Sequence, residues 1–137
     1  MSAAGHRHGA GDEHDRFRGV AGLVLGTVML VRRAAIARLV ADAAGVTQGD
    51  RVVDVGCGPG GAVREAARRG AYVTGVDPAP LMLRLGRYLT RGPLRELVTF
   101  RPGTAEQVPL PAESVSVAWS ISSAHHWSDL PAGLREL

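Results

Sequence analysis

Short apolar runs alternate with longer amphipathic stretches along most of this chain. Arg51–Val55 (RVVDV), Ala71–Val76 (AYVTGV), Leu97–Phe100 (LVTF) and Val115–Trp119 (VSVAW) are rich in β-branched and aromatic residues. Each is bounded by glycine, charge or serine, the pattern of short buried strands. Between them, Ala62–Arg69 reads as a helix with Arg64, Arg68 and Arg69 outward. Pro80 opens a further helix as a first-turn residue, with Leu81, Leu85 and Leu89 on one face and Arg84, Arg87 and Arg91 largely opposite. That arginine row is expected to be solvated surface. Alternating strands and helices predict an α/β fold, a doubly wound parallel sheet of about four strands with flanking helices. Ligands in such sheets bind outside the carboxyl ends of the strands, where the strand order reverses.

Before the first strand the pattern changes. Met1–Asp15 mixes glycine, alanine, histidine and charge without periodicity and is expected to be a flexible tail (1–15). Gly19–Val31 is apolar and contains Gly22-x-x-x-Gly26, yet Arg18 and the Arg32-Arg33 pair bracket only thirteen residues. A membrane-spanning helix needs about 20, so no membrane span is expected. Ile36, Leu39, Val40 and Ala43 recur at helical spacing, and Gly45 can end that helix. The predicted organisation is therefore N-terminal cap helices over 16–48 and a core over 49–137.

Composition narrows the function. The chain has 137 residues, 45% of them hydrophobic, enough for a single core. It carries a net charge of +3 and a pI near 10.0, and all 16 of its basic residues are arginine. Aromatic residues able to stack on bases make up only 4%, so no nucleic-acid partner is expected. The lone Cys57 excludes an internal disulfide and suits a reducing, cytoplasmic setting. His6, His8 and His14 lie near Asp12, Glu13 and Asp15, but a tail without structure would have to supply every ligand and all the order, so no metal site is expected.

Chemistry concentrates at Val52–Gly61 (VVDVGCGPGG), where a β-branched run breaks into glycines and then into a helix-forming stretch. Gly56, Gly58 and Gly60 allow positive φ and let a ligand approach the backbone. Asp77 ends the next apolar run, where a carboxylate can hydrogen-bond two ribose hydroxyls. Gly56, Gly58 and Gly61 also satisfy the G-x-G-x-x-G pattern of dinucleotide-binding proteins, with Asp77 about 20 residues on. From these residues alone, a nicotinamide-dependent oxidoreductase stays open.

Asp54-Val-Gly56-Cys57-Gly58-Pro-Gly60, followed by Gly103–Pro109 (GTAEQVP) and an apolar run ending in SISSAHHW, resembles the class I S-adenosylmethionine-dependent methyltransferases. The likeness is to the Rossmann-like "type 11" kind that includes the ubiquinone and menaquinone C-methyltransferases. The resemblance implies S-adenosylmethionine as cofactor and a small-molecule methyl acceptor, an apolar one given the apolar N-terminal run. It implies that Asp54, Gly56, Cys57, Gly58 and Gly60 meet the methionine part, that Asp77 binds the ribose beside Pro78 and Ala79, and that Ala105 contacts adenine through its backbone. Thr104 stands where the family usually has aspartate, and Ser116 departs in the same way; Ser120 falls at the end of the fourth strand. His125-His126-Trp127 resembles a family variant near the substrate, making His126 the candidate catalytic residue. Relatives continue through three further strands, so the expectation is a chain holding the cofactor-binding part only. The fourth strand would then be an exposed edge, which leaves a non-catalytic module that pairs with itself or a partner as a third reading.

Overall fold

The computed structural model describes residues 20–121, 123 and 128–136. The tail with His6, His8 and His14, Gly19, and the His125-His126-Trp127 run lie outside the described residues. Helix α1 covers Val20–Ala43, so the two helical stretches expected on either side of Arg32-Arg33 form one helix. A boundary between two compact units falls within it, after Arg32. The second unit carries the sheet and the site.

In chain order that unit continues as β1 (Arg51–Val55), α2 (Gly61–Arg68), β2 (Tyr72–Asp77), α3 (Pro80–Leu89), a 3-10 turn (Gly92–Glu96), β3 (Val98–Pro102), β4 (Val117–Trp119) and α4 (Leu130–Glu136). The four strands form one parallel sheet in the order β3-β2-β1-β4. This is the α/β, Rossmann-like arrangement the sequence pattern predicts. β3 begins one residue late because the Leu97 amide closes the 3-10 turn on Leu94 O (3.1 Å). The helix α4 was not expected; Asp129 caps it by accepting from the Ala132 amide (2.9 Å).

Both faces of the sheet are covered, which is why the strands read as continuous apolar runs. On one face Val52, Val73, Phe100 and Trp119 pack with Ala62, Val63, Ala66 and Ala67 of α2, Leu83 of α3 and Ala37 and Ala41 of α1. On the other, Val53, Val55 and Val76 pack with Ala105 under Val108, Leu110 and Val115. A long loop covers this second face, held in part by Ser116: its hydroxyl accepts from the Arg51 amide (3.0 Å) and donates to Asp50 (3.0 Å). Ser116 thus straps together the amino ends of β1 and β4.

The helices do not bury the faces their large residues suggest. Ala37 and Ala41 of α1 are buried while Ile36 and Leu39 are exposed, and α3 buries Leu83 and Gly86 while Leu81, Leu85 and Leu89 are exposed. The cause is close approach. A Cβ built on Gly86 would lie 2.7 Å from the Phe100 ring, so α3 comes down on the sheet where only glycine fits. Gly86→Ala gains about 1 kcal/mol of helix propensity but forces α3 off a buried ring, an overpacking cost of about 1 to 3 kcal/mol. We expect a net loss of stability in urea unfolding with the slope unchanged; a midpoint at or above the parent's would show that the contact is loose.

Candidate functional site

The chain turns sharply after β1 and folds back over the end of β2. The amides of Gly56 and Cys57 both donate to Val76 O (2.8 and 3.0 Å), and the Gly60 amide donates to Cys57 O (3.0 Å). Gly56 and Gly60 have φ of 73° and 76°, where a side chain is strained. At Gly60 a Cβ would also lie 2.7 Å from Phe100. Among the described residues, none occupies the space a side chain would take at Gly58 and Gly61, so there the loop shows bare backbone on that side. α2 begins at Gly61, and its unpaired first-turn amides open at the same mouth. Arg64 does not point outward as expected. It is half-buried, and its Nη1 reaches back to Pro59 O (2.7 Å), pinning the loop. Arg69 pairs with Asp42 (2.7 Å).

Asp77 does more than wait for a ligand. Its Oδ2 accepts from the Gly58 amide (2.9 Å) and its Oδ1 from the Ala79 amide (2.9 Å), so one carboxylate ties the glycine loop to the start of α3. Each oxygen has a second lone pair, which leaves capacity for two more donors. Pro78 is exposed beside it.

Asp54 has a different environment. It lies in register with Gly75 on β2 and Trp119 on β4 and is almost fully buried. Burial pushes its carboxyl up to about 8; the Trp119 indole acts against this and the Asp77 charge adds to it. Among the described residues, Trp119 Nε1 has no partner of sound hydrogen-bond geometry, so its influence on Asp54 is that of a nearby dipole. Burial thus favours the protonated form of Asp54. Cys57 packs against Gly75 and donates to Gly58 O (3.4 Å). Burial, then the charges of Asp54 and Asp77, drive its thiol far above the ordinary range, so it fills the loop and is not a nucleophile.

The remaining walls come from β4 and the segment after β3. Ser123 Oγ donates to Val55 O (3.0 Å), so Ser120 Oγ is the donor in the hydrogen bond between the two hydroxyls. Ser123 fills the space a Gly56 side chain would need. Sequence reasoning named Ser120 and missed Ser123; the serine-rich end of the fourth run was the signal. Thr104 and Gln107 exchange amide bonds (3.4 and 3.3 Å) in a tight turn. Thr104 is exposed, whereas Ala105 is buried against Val53, Val55 and Val76. Glu106 Oε1 accepts from the Asp129 amide (2.9 Å), which lowers its pKa and joins this segment to α4. Asp54, Gly56, Cys57, Gly58, Gly60 and Asp77 thus meet around one loop, with Ser120 and Ala105 bordering it through Ser123 and Val76. His126 lies outside the described residues.

Residues 53–137 match the model of a family described as a methyltransferase domain. The chain belongs to this family. That membership resolves the ambiguous glycine pattern in favour of a methyltransferase fold. Demethylmenaquinone methyltransferase of Tropheryma whipplei is 50% identical over 56 residues, 41% of this chain and 21% of that enzyme. Malonyl-[acyl-carrier protein] O-methyltransferase of Serratia marcescens is 38% identical over 89 residues, 65% of this chain and 33% of that enzyme. Among solved structures, geranyl diphosphate methyltransferase in complex with SAM aligns with a TM-score of 0.61 at 29% identity, over 66% of this chain and 38% of its own. The methyltransferase chain thus spans about a fifth to a third of these curated relatives' length. Among the described residues, no helix is long and apolar enough to cross a membrane, and no three His, Cys, Asp or Glu residues cluster as a metal site would require.

A folded-state pKa for Asp54 raised from 3.8 to about 8 means that the folded methyltransferase domain holds this proton more tightly than the unfolded chain does. The stabilisation is complete below about pH 4 and is lost as pH rises towards 8, on the order of a few kcal/mol. Asp54→Asn mimics the protonated acid permanently. Denaturation midpoints at several pH values should fall across this window for the parent and stay flatter for the variant; parallel profiles would refute the assignment.

Proposed function

We propose that this chain binds S-adenosylmethionine at the glycine loop and directs its methyl group to a small, apolar acceptor. The observation that carries the reading is the loop itself, clamped to Val76 O and Asp77 yet open at Gly58 and Gly61, within a family match over 53–137. The residues present fit the cofactor. Asp77 keeps lone pairs for two ribose hydroxyls, and the first-turn amides of α2, at the positive end of the helix, suit a carboxylate. Ala105 offers its backbone to the adenine, and the exposed Thr104 hydroxyl can accept from the exocyclic amine.

When bound, S-adenosylmethionine supplies an electrophilic methyl on a sulfonium. The chain's own part is to fix position. The loop, Asp77 and the Ser120–Ser123 pair hold the methyl donor still so that an acceptor atom can sit about 3 to 3.5 Å from it, the main source of rate in an in-line transfer. His126 is assigned the acceptor's proton, where the acceptor must lose one. The names of the relatives, among them a demethylmenaquinone and a geranyl diphosphate methyltransferase, support an apolar acceptor class. The single, inert Cys57 supports a cytoplasmic setting.

Self-association is a second reading, favoured by the place of β4 at an outer edge of the described sheet. Three residues make a short ladder, and a light-scattering mass that stays constant with concentration would remove it.

The direct test is calorimetric titration of S-adenosylmethionine, with NAD as the competing cofactor. Saturable binding of S-adenosylmethionine alone is expected. Asp77→Asn should weaken it about 10- to 100-fold, the value of one or two charge-assisted hydrogen bonds. A folded protein that takes up neither ligand, or NAD only, overturns the reading.

A further inference from the structure

The outer face of α3 carries more large apolar side chains than its inner one. Leu81, Leu85, Tyr88 and Leu89 are 61%, 38%, 65% and 41% exposed, against the buried Leu83 and Gly86. Their spacing sets them in one stripe along the helix. Charge gathers at the same place. Residues 78–105 hold five arginines and one glutamate, a net of +4, where the whole chain has +3. Among the described residues, Arg84, Arg87, Arg91, Arg95 and Arg101 form no salt bridge.

Several of these guanidinium groups are held in place before any partner arrives. Arg87 Nη2 donates to Phe100 O (2.9 Å), Arg95 Nε donates to Thr90 O (3.0 Å), and Arg91 stacks over the Tyr88 ring at 5.0 Å. Among the described residues, each keeps N–H groups without a partner. Arg87 and Arg95 line a cleft of about 450 Å³ with Thr90, Val98, Thr99 and Phe100 at the β3 edge. Cations already bonded to the main chain beside exposed leucines have less entropy to lose on binding than free ones.

We propose that the outer face of α3 and the adjoining β3 edge dock an acidic amphipathic helix of a partner protein. Its apolar stripe would cover Leu81, Leu85 and Tyr88, and its carboxylates would meet the arginines. Addition of a strand is a poorer fit. Leu97 O accepts from the Val73 amide, so in this parallel ladder the main-chain groups of Val98, Phe100 and Pro102 point away from β2. Arg87 already occupies Phe100 O, and Pro102 has no amide to offer. A nucleic acid would match the charge but leave four apolar side chains unpartnered. The ten residues of α3 span about 15 Å, so about three turns of a partner helix suffice.

The surface is separate from the glycine loop, so the test leaves cofactor binding as an independent readout. Fluorescence anisotropy would compare a peptide of about 18 residues carrying one leucine face flanked by glutamates, a scrambled peptide of the same composition, and a single-stranded RNA. We expect saturable binding of the faced peptide, about tenfold tighter than the scrambled one. Arg84→Glu with Arg91→Glu, and separately Leu85→Ser with Tyr88→Ser, should each weaken it about tenfold or more, with melting temperature and S-adenosylmethionine titration unchanged. No saturable binding, equal affinity for the scrambled peptide, tighter binding of RNA, or indifference to both double substitutions would overturn the proposal.

Discussion

Two main-chain amides, from Gly56 and Cys57, converge on the carbonyl of Val76, and the candidate site depends on that junction. A run of glycines has no side chains with which to anchor itself, so its buried amides must be satisfied by whatever lies beneath. Here that is the end of β2, through Val76 O and the Asp77 carboxylate. The end of β2 is in turn fixed on both sides, Val76 by register with Val55 and Asp77 by register with Pro102. The loop thereby inherits its position from three strands and not from its own sequence. Phe100 completes the arrangement. Its ring occupies the space that side chains at Gly60, Gly75 and Gly86 would take, so loop, strand and helix close on one aromatic group.

Local signals carried much of this into view from sequence. β-branched runs marked the four strands, and the glycine loop with Asp77 marked the candidate site, because positive φ and strand propensity are properties of single residues and near neighbours. What stayed hidden was of longer range. The bond from Ser123 to Val55 joins residues 68 apart, and that from Arg64 to Pro59 depends on how a loop folds back. Nothing in a one-dimensional pattern marks either. The helix faces failed for a definite reason. Periodicity assigns the largest apolar residues to the core, but α1 and α3 approach their neighbours so closely that alanine and glycine take the inner positions. Leucines are displaced outward by the same closeness that makes the packing dense.

The displacement links fold to surface chemistry. A helix that seats on Gly86 has its leucines left over, and α3 is also where the arginines gather. Close seating on Phe100 thus shapes the floor of the loop and the character of the outer surface together.

Two carboxylates near the loop are given opposite tasks by their surroundings. Asp77 accepts from two main-chain amides and ties the loop to the start of α3. Asp54 lies a strand away under Trp119 and Gly75, where burial favours its proton. A second full charge so close to Asp77 would oppose the first; a protonated Asp54 removes that repulsion and leaves the negative potential at the mouth to Asp77 alone. A positively charged ligand above the loop would reverse the balance by favouring ionised Asp54, so occupancy of the site and the proton on Asp54 are thermodynamically linked.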